Sequence, residues 1–283
     1  MNIINDIDKR LNMDINANIF FDIYSFTTEN INGYIPYFDL KNKSLLTVGS
    51  SADQIFNASL EGCNDITVCD ICPLTKYYYY LKLSSLLLLN KEEYLKFLCQ
   101  KYYDLEHNPY FLNKKTFYKI KNSLKLLDYD SYYIWDYLFN KYNNNQIEKL
   151  FRHDINIKED IIHCNNYLKN NKYFKHLKNS IQKTNVNFIN GDVTNYNYNR
   201  QFDNIWLSNI AHYLDGEGLV KLFLNNEKSL KENGKMLLCY YWNKNTLVGH
   251  HTIIEFDYID NKDLIVIPGV TPYEDNSIIL YNK

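Results

Sequence analysis

Between Ser44 and Pro73 the hydrophobic pattern changes period twice. Leu45, Leu46 and Val48 make a short apolar run of strand length, Gly49 permits a sharp exit, and Ser50 and Ser51 can cap a helix beginning near Asp53. Ile66, Thr67 and Val68 then form a second strand ending at Asp70. Strand, glycine turn, helix, strand and acid in that order open a Rossmann unit. Asp70 follows Gly49 by 21 residues, close to the roughly 20-residue offset at which a carboxylate meets a ribose hydroxyl in such folds.

The rest of the chain continues the alternation with one interruption. Residues before Phe38 read as a mixed lead-in, not as a separate domain. Pro73 starts a helix through TKYYYYLKLSSLLLL, and Asn90 caps another in KEEYLKFLCQKYY; both are expected to cover the sheet. From residue 107 to 180 the sequence turns polar and rich in Tyr, Lys and Asn, with short helical patterns, which predicts a helical insertion serving as a substrate cover. The β rhythm returns in VNFINGDVTNY, ending at Gly191 and Asp192, and in FDNIWLSNIAHYL, whose apolar run ends at Ser208 and Asn209. GLVKLFLNNEKSLKENGK reads as one amphipathic helix stopped by Gly234, before the strand MLLCYYW. IIEFDYI, LIVIP and SIILYN then complete the sheet as an antiparallel edge. The expected fold class is α/β, a mostly parallel Rossmann-like sheet in one domain over residues 1–283, with residues 1–43 as a lead-in or cap.

Composition narrows the partners. The chain has 283 residues, 46% of them hydrophobic, and a net charge of −2, so it can bury a core and carries no overall field to gather nucleic acid or an anionic bilayer. The 27 tyrosines beside only 9 glycines suggest an AT-rich codon bias, which makes single Tyr or Asn residues weak clues. The first residues lack the pattern of a secretory signal, and the longest apolar stretch, LKLSSLLLL, falls short of a bilayer span; a cytoplasmic protein is the expectation. Six cysteines then read as free thiols. Cys69 and Cys72 have C-x-x-C spacing, but nothing nearby completes a zinc site, so no metal is expected.

In an open α/β sheet, ligands meet the carboxyl ends of the strands. Here those ends carry Gly49 to Asp53, Asp70, Asp192, and Ser208 with Asn209. Gly49 lets a ligand approach backbone, Asp70 offers two acceptors to ribose hydroxyls, and Asp192 can accept from an adenine amino group. That order suits an adenosine ligand better than a dinucleotide, since neither G-x-G-x-x-G nor a P-loop is present. Bland readings stand beside these. An Asp after a strand often caps a helix, at Asp70 as at Asp192. His212 is a candidate general base, and equally a structural or solvated histidine.

LLTVGSSADQIFNASLEG, TVCDICP, FDNIWLSNIAHYL and the lead-in YSFTTENINGY resemble S-adenosylmethionine-dependent Rossmann enzymes of the class I methyltransferase type. More narrowly, they resemble the short branch of the family related to S-adenosylmethionine:diacylglycerol 3-amino-3-carboxypropyltransferase. The resemblance implies S-adenosyl-L-methionine as cofactor, with Asp70 on its ribose and Asp192 near its adenine. The expected cofactor contacts also include Ser50, Ser51, Asp53 and Gln54 in the first loop, and Ile71, Val193, Ser208 and Asn209 at the later strand ends. The loop GSSADQ lacks the second glycine usual in methyltransferases, which favours transfer of the 3-amino-3-carboxypropyl group over methyl. The acceptor stays open between a small molecule, a lipid-like molecule and a nucleic-acid base stacked on the insertion. Tyr24 and Phe26 are candidates to hold the sulfonium by cation–π contact, or only to pack. A non-catalytic S-adenosylmethionine or nucleotide-binding module is the alternative of another class.

Overall fold

Leu45 and Leu46 sit in β1 (Ser44–Thr47), a strand buried along its whole length, as an apolar run covered on both faces requires. The structure is a computed structural model that describes residues 3–12, 23–102, 108–152, 157–242, 262–267 and 275–283. The lead-in contains α1 (Ile3–Asn12) and α2 (Ile31–Tyr34). After β1 come α3 (Asp53–Leu60), β2 (Asp65–Asp70), α4 (Leu74–Leu88), α5 (Lys91–Leu98), α6 (Lys114–Leu127), α7 (Tyr129–Lys141), α8 (Asn144–Glu148), α9 (Lys158–Cys164) and α10 (Asn171–Ser180). The chain then returns to the sheet with β3 (Asn185–Asn190), β4 (Phe202–Trp206), α11 (Gly216–Glu227), β5 (Leu230–Trp242), β6 (Lys262–Ile267) and β7 (Asp275–Asn282).

Two compact units emerge. The helical unit comprises Met1–Thr27, Gly49–Asp53 and Ile71–Ile161; the sheet unit comprises Thr28–Val48, Gln54–Asp70 and Ile162–Lys283. In the sheet unit seven of the described strands run in the order β3-β2-β1-β4-β5-β7-β6. The first five run parallel to one another, and β7 pairs antiparallel with both β5 and β6. Its core gathers Leu46, Val48, Phe202, Ile205, Leu222 and Met236. Trp206 is fully buried, with the rings of Tyr34 and Phe38 packed edge-on at 5.3 and 5.4 Å. LIVI and SIILYN thus form the expected antiparallel edge, while the following proline and IIEFDYI lie outside the described residues.

Gly234 does not stop a helix. Helix α11 ends at Glu227, and β5 begins at Leu230, opposite Phe202. The register then shifts before Lys235 meets Asn204, so Lys231 to Gly234 form an irregularity inside the strand. Asn233 takes a φ of 63° and donates to the Lys283 carbonyl at 3.0 Å. A Cβ at Gly234 would lie 2.7 Å from the Lys231 carbonyl oxygen, so the glycine serves a tight bulge.

In the helical unit α4 packs on α6 and α7, which is where the helices expected over the sheet belong. Aromatic rings fill this interior. Phe117 and Phe139 stack at 4.1 Å, and the Trp135 indole donates to the Tyr77 carbonyl at 2.8 Å. The abundant aromatics that codon bias explains as composition are used here as volume.

Candidate functional site

Strand order in the sheet reverses between β1 and β4, so the carboxyl ends of β1, β2, β3 and β4 are where this architecture meets ligands. Asp70 ends β2 and pairs in register with Asn190 of β3. The Gly191 amide and the Asn190 side chain both donate to the Asp70 carbonyl at 3.0 Å, bringing half-buried Asp70 beside the turn that carries Asp192. Burial first, and then the negative charges of Asp70 and Asp192, push the Cys69 thiol up to about 11. Two carboxylates therefore share this corner.

They differ in what they already hold. Asp192 is exposed, and its Oδ1 accepts from the Thr194 amide at 2.9 Å while its Oδ2 accepts from the Asn195 side chain at 3.3 Å. Asp192 thus holds the turn that follows β3, and no helix begins there. Val193 buries its side chain in the apolar core, leaving its backbone as its hydrogen-bonding part.

At the end of β4 the structure adds a residue that the sequence reading missed. Glu29, from the lead-in, is 2% exposed. Its Oε1 accepts from the Ser208 hydroxyl and, at 3.1 Å, from the Asn209 amide; its Oε2 accepts from the Tyr34 hydroxyl at 3.4 Å. Gln54 of α3 supplies a further side-chain hydrogen bond. Burial nevertheless outweighs these four donors and lifts the Glu29 carboxyl to about 7. Ser208 adopts a φ of 54°, which non-glycine residues rarely take. Ser208, Asn209 and Gln54, three predicted site residues, are thus gathered on one carboxylate. His212 falls in the 3-10 turn Ile210–Tyr213, and its side chain lies outside the described part of the structure.

The loop after β1 belongs to the helical unit. The Ala52 amide donates to the Gly49 carbonyl at 2.7 Å, closing a tight turn in which Ser50 and Ala52 have φ of 32° and 68°. Lys82, fully buried on α4, holds this turn. Its ammonium donates to the Ser51 carbonyl at 2.8 Å, to the Ser25 carbonyl at 2.9 Å and to Asp53 Oδ1 at 2.7 Å. The other Asp53 oxygen accepts from the Thr27 amide at 2.6 Å. Asp53 is wholly buried with both oxygens engaged by the protein, so the structure places it in the loop's framework. Ile71 is 41% exposed.

Neither aromatic proposed for the sulfonium stands open. Phe26 is fully buried with the Lys82 ammonium 4.0 Å from its ring centre, and the Arg152 guanidinium lies 5.3 Å from the centre of the Tyr24 ring while donating to its hydroxyl at 2.9 Å. Protein cations already use these π faces. All six cysteines are buried and outside any disulfide, Cys69 and Cys72 included. Among the described residues no helix is long and apolar enough to cross a membrane.

The strand order, with β7 reversed between β5 and β6, defines a class I methyltransferase-type Rossmann-like fold. No protein-family model matches the chain, and no curated protein sequence matches it. Among solved structures it is similar to the N-methyltransferase NodS from Bradyrhizobium japonicum WM9 in complex with S-adenosyl-L-homocysteine: 10% identity over 100% of this chain and 99% of that one, with a TM-score of 0.44. A TehB-like SAM-dependent methyltransferase from Corynebacterium glutamicum shares 10% identity over 93% of this chain and 89% of its own, with a TM-score of 0.40. The glycopeptide N-methyltransferase MtfA complexed with S-adenosyl-L-methionine shares 7% over 96% and 71%, with a TM-score of 0.37.

Proposed function

We propose that the protein is an S-adenosylmethionine-dependent transferase that moves a methyl group to a nucleophile on a small acceptor. The observation that carries this reading is the carboxyl edge of the sheet, where Asp70, Asp192 and the Ser208–Asn209 turn follow the reversal of strand order. The donor set fits an adenosine group. Asp70 accepts from the ribose hydroxyls, the Val193 backbone and Asp192 meet the adenine edge, and the buried Gln54 Oε1, which has no donor among the described residues, offers an unused acceptor. Gly49, Ser50, Ser51, Asp53 and Ile71 enter the reading by their sequence positions alone.

When bound, the cofactor supplies an electrophilic carbon on a sulfonium. This chain's part is to orient and to exclude water, because transfer of either group differs only in which carbon faces the acceptor in line. In GSSADQ, which lacks the second glycine, Lys82 fastens the loop through Ser51 and Asp53, and Ser50 and Ala52 hold positive φ. That departure speaks to the rigidity of the loop and leaves methyl transfer as the simpler chemistry.

Incubation with S-adenosylmethionine and fractionated cell extract tests the reading. S-adenosylhomocysteine is the expected product. Release of methylthioadenosine instead would return the reaction to 3-amino-3-carboxypropyl transfer, and tight cofactor binding with neither product would make the chain a binding module. Calorimetry on Asp70→Ala is expected to show affinity weaker by roughly 1 to 3 kcal/mol, the cost of leaving polar groups unpaired.

A further inference from the structure

We propose that Glu29 is a positioning residue for this site: by accepting from the Ser208 hydroxyl and the Asn209 amide, it fixes the turn that ends β4 in its ligand-ready form. The inference rests on the transferase reading and names the residue that governs one wall of the proposed site. Three observations converge on it. Glu29 comes from a segment before β1 yet reaches the first two residues beyond Leu207, 179 and 180 positions away. Ser208 sits at a φ of 54° in a position without glycine, so its conformation needs an external hold, and the carboxylate grips it on both sides of the strained unit, at the hydroxyl and at the next amide. Cys239 of β5 donates its amide to the Ser208 carbonyl at 2.8 Å, closing the turn from the opposite strand.

The grip depends on charge. As a carboxylate, Glu29 accepts from Ser208, Asn209, Tyr34 and Gln54. As an acid it must also donate, and the buried Gln54 Oε1 is the acceptor within its own hydrogen-bonded group that has no donor among the described residues. A half-turn of the Gln54 amide would take that proton and withdraw one donor from the carboxyl, loosening its hold on the turn. Among the described residues, titratable groups facing Glu29 include Tyr34 on α2, Cys239 on β5 and, through Cys239, Cys164 on α9; burial and the Glu29 charge keep the Cys239 thiol protonated. Ionised Glu29 therefore corresponds to the gripped turn, with its midpoint near neutrality.

The test uses the full chain. The ¹⁵N–¹H resonance of Asn209 is followed from pH 5.5 to 8.5 in the wild type, in Glu29→Gln and in Ser208→Ala, and S-adenosylhomocysteine is titrated by calorimetry over the same range. The expected result is an Asn209 shift with a midpoint near 7 in the wild type, no such shift in Glu29→Gln, and a higher midpoint in Ser208→Ala, which keeps the carboxyl but removes a donor that favours its charged form. Affinity in the wild type is expected to fall about tenfold from pH 8 to pH 6, as the ionised fraction falls, and to lose that dependence in Glu29→Gln. An Asn209 resonance that does not titrate, or pH-independent affinity in the wild type, overturns the positioning role. A wild type that titrates at Asn209 but binds no S-adenosylhomocysteine overturns the transferase reading instead. Should Glu29→Gln fail to fold, the direction of the Ser208→Ala midpoint decides, and an unchanged or lowered midpoint refutes the proposal.

Discussion

The Lys82 ammonium and the Asp53 carboxylate meet 2.7 Å apart with both side chains wholly buried, and each keeps a second attachment to backbone. Removing one partner leaves the other charged and dry. Lys82→Met is therefore expected to cost on the order of 3 to 5 kcal/mol in urea unfolding, whereas the double variant Lys82→Met, Asp53→Asn loses clearly less than the sum of the two single changes. Additive losses would show that the pair is not coupled.

Glu29 gives the fold an unusual pH dependence. Its folded carboxyl lies at about 7 against an ordinary 4.5, so between those values the folded chain binds more protons than the unfolded one. Its contribution is fully present below pH 4.5 and is lost as pH rises through 7, amounting to roughly 3 kcal/mol. Urea midpoints measured from pH 5 to pH 8 should carry this decline in the wild type and lack it in Glu29→Gln. Parallel curves for the two proteins would remove Glu29 from the account.

Gly33 of α2 has no room for a side chain. A Cβ there would fall 2.1 Å from Cγ2 of Ile267 on β6. Gly33→Ala should destabilise by about 1 to 3 kcal/mol through overpacking, and adding Ile267→Ala should recover part of that loss. Thermal melts of the single and double variants distinguish this steric cause from loss of backbone freedom, which Ile267→Ala would leave unrelieved.

Asp203 joins three strands of the sheet. Its Oδ2 accepts from the Ser44 amide at 2.9 Å, from the Ser44 hydroxyl at 2.6 Å and from the Lys231 ammonium at 2.8 Å, tying β1 and β5 to β4. Burial alone would raise this carboxyl, but the Lys231 and Ser44 hydrogen bonds hold it at about 2. Asp203→Ala is expected to lower stability at pH 7 by roughly 1 to 3 kcal/mol, read by chemical denaturation; a neutral result would mean that water replaces the carboxylate as acceptor for all three donors.

The strands were legible because they carry local signals. Ile66 to Val68 and the run from Phe202 to Trp206 are short, apolar and bounded by turn residues, and each forms a strand where the pattern puts it. Gly234 misled for the same reason: a glycine after an amphipathic run looks like a helix stop, and only the register slip between β4 and β5 shows its use in a bulge. Glu29 left no local signal. Its neighbour Asn30 caps α2 in the ordinary way, and the acid's burial depends on Ser208 and Asn209, far along the chain. Lys82 did leave one, as a lone cation inside the otherwise apolar LKLSSLLLL, but what it binds, the Ser25 carbonyl and the GSSADQ loop, could not be read from that helix.

The span between Glu29 and Ser208 also sets an order on the making of the molecule. At about 5 to 20 residues per second, synthesis delivers Ser208 roughly 10 to 35 seconds after Glu29. Through that interval the acid has no β4 turn to close upon, so the Glu29 contacts of the folded chain form only after that turn has been made. Within the sheet unit, an early segment thus waits on a strand made much later.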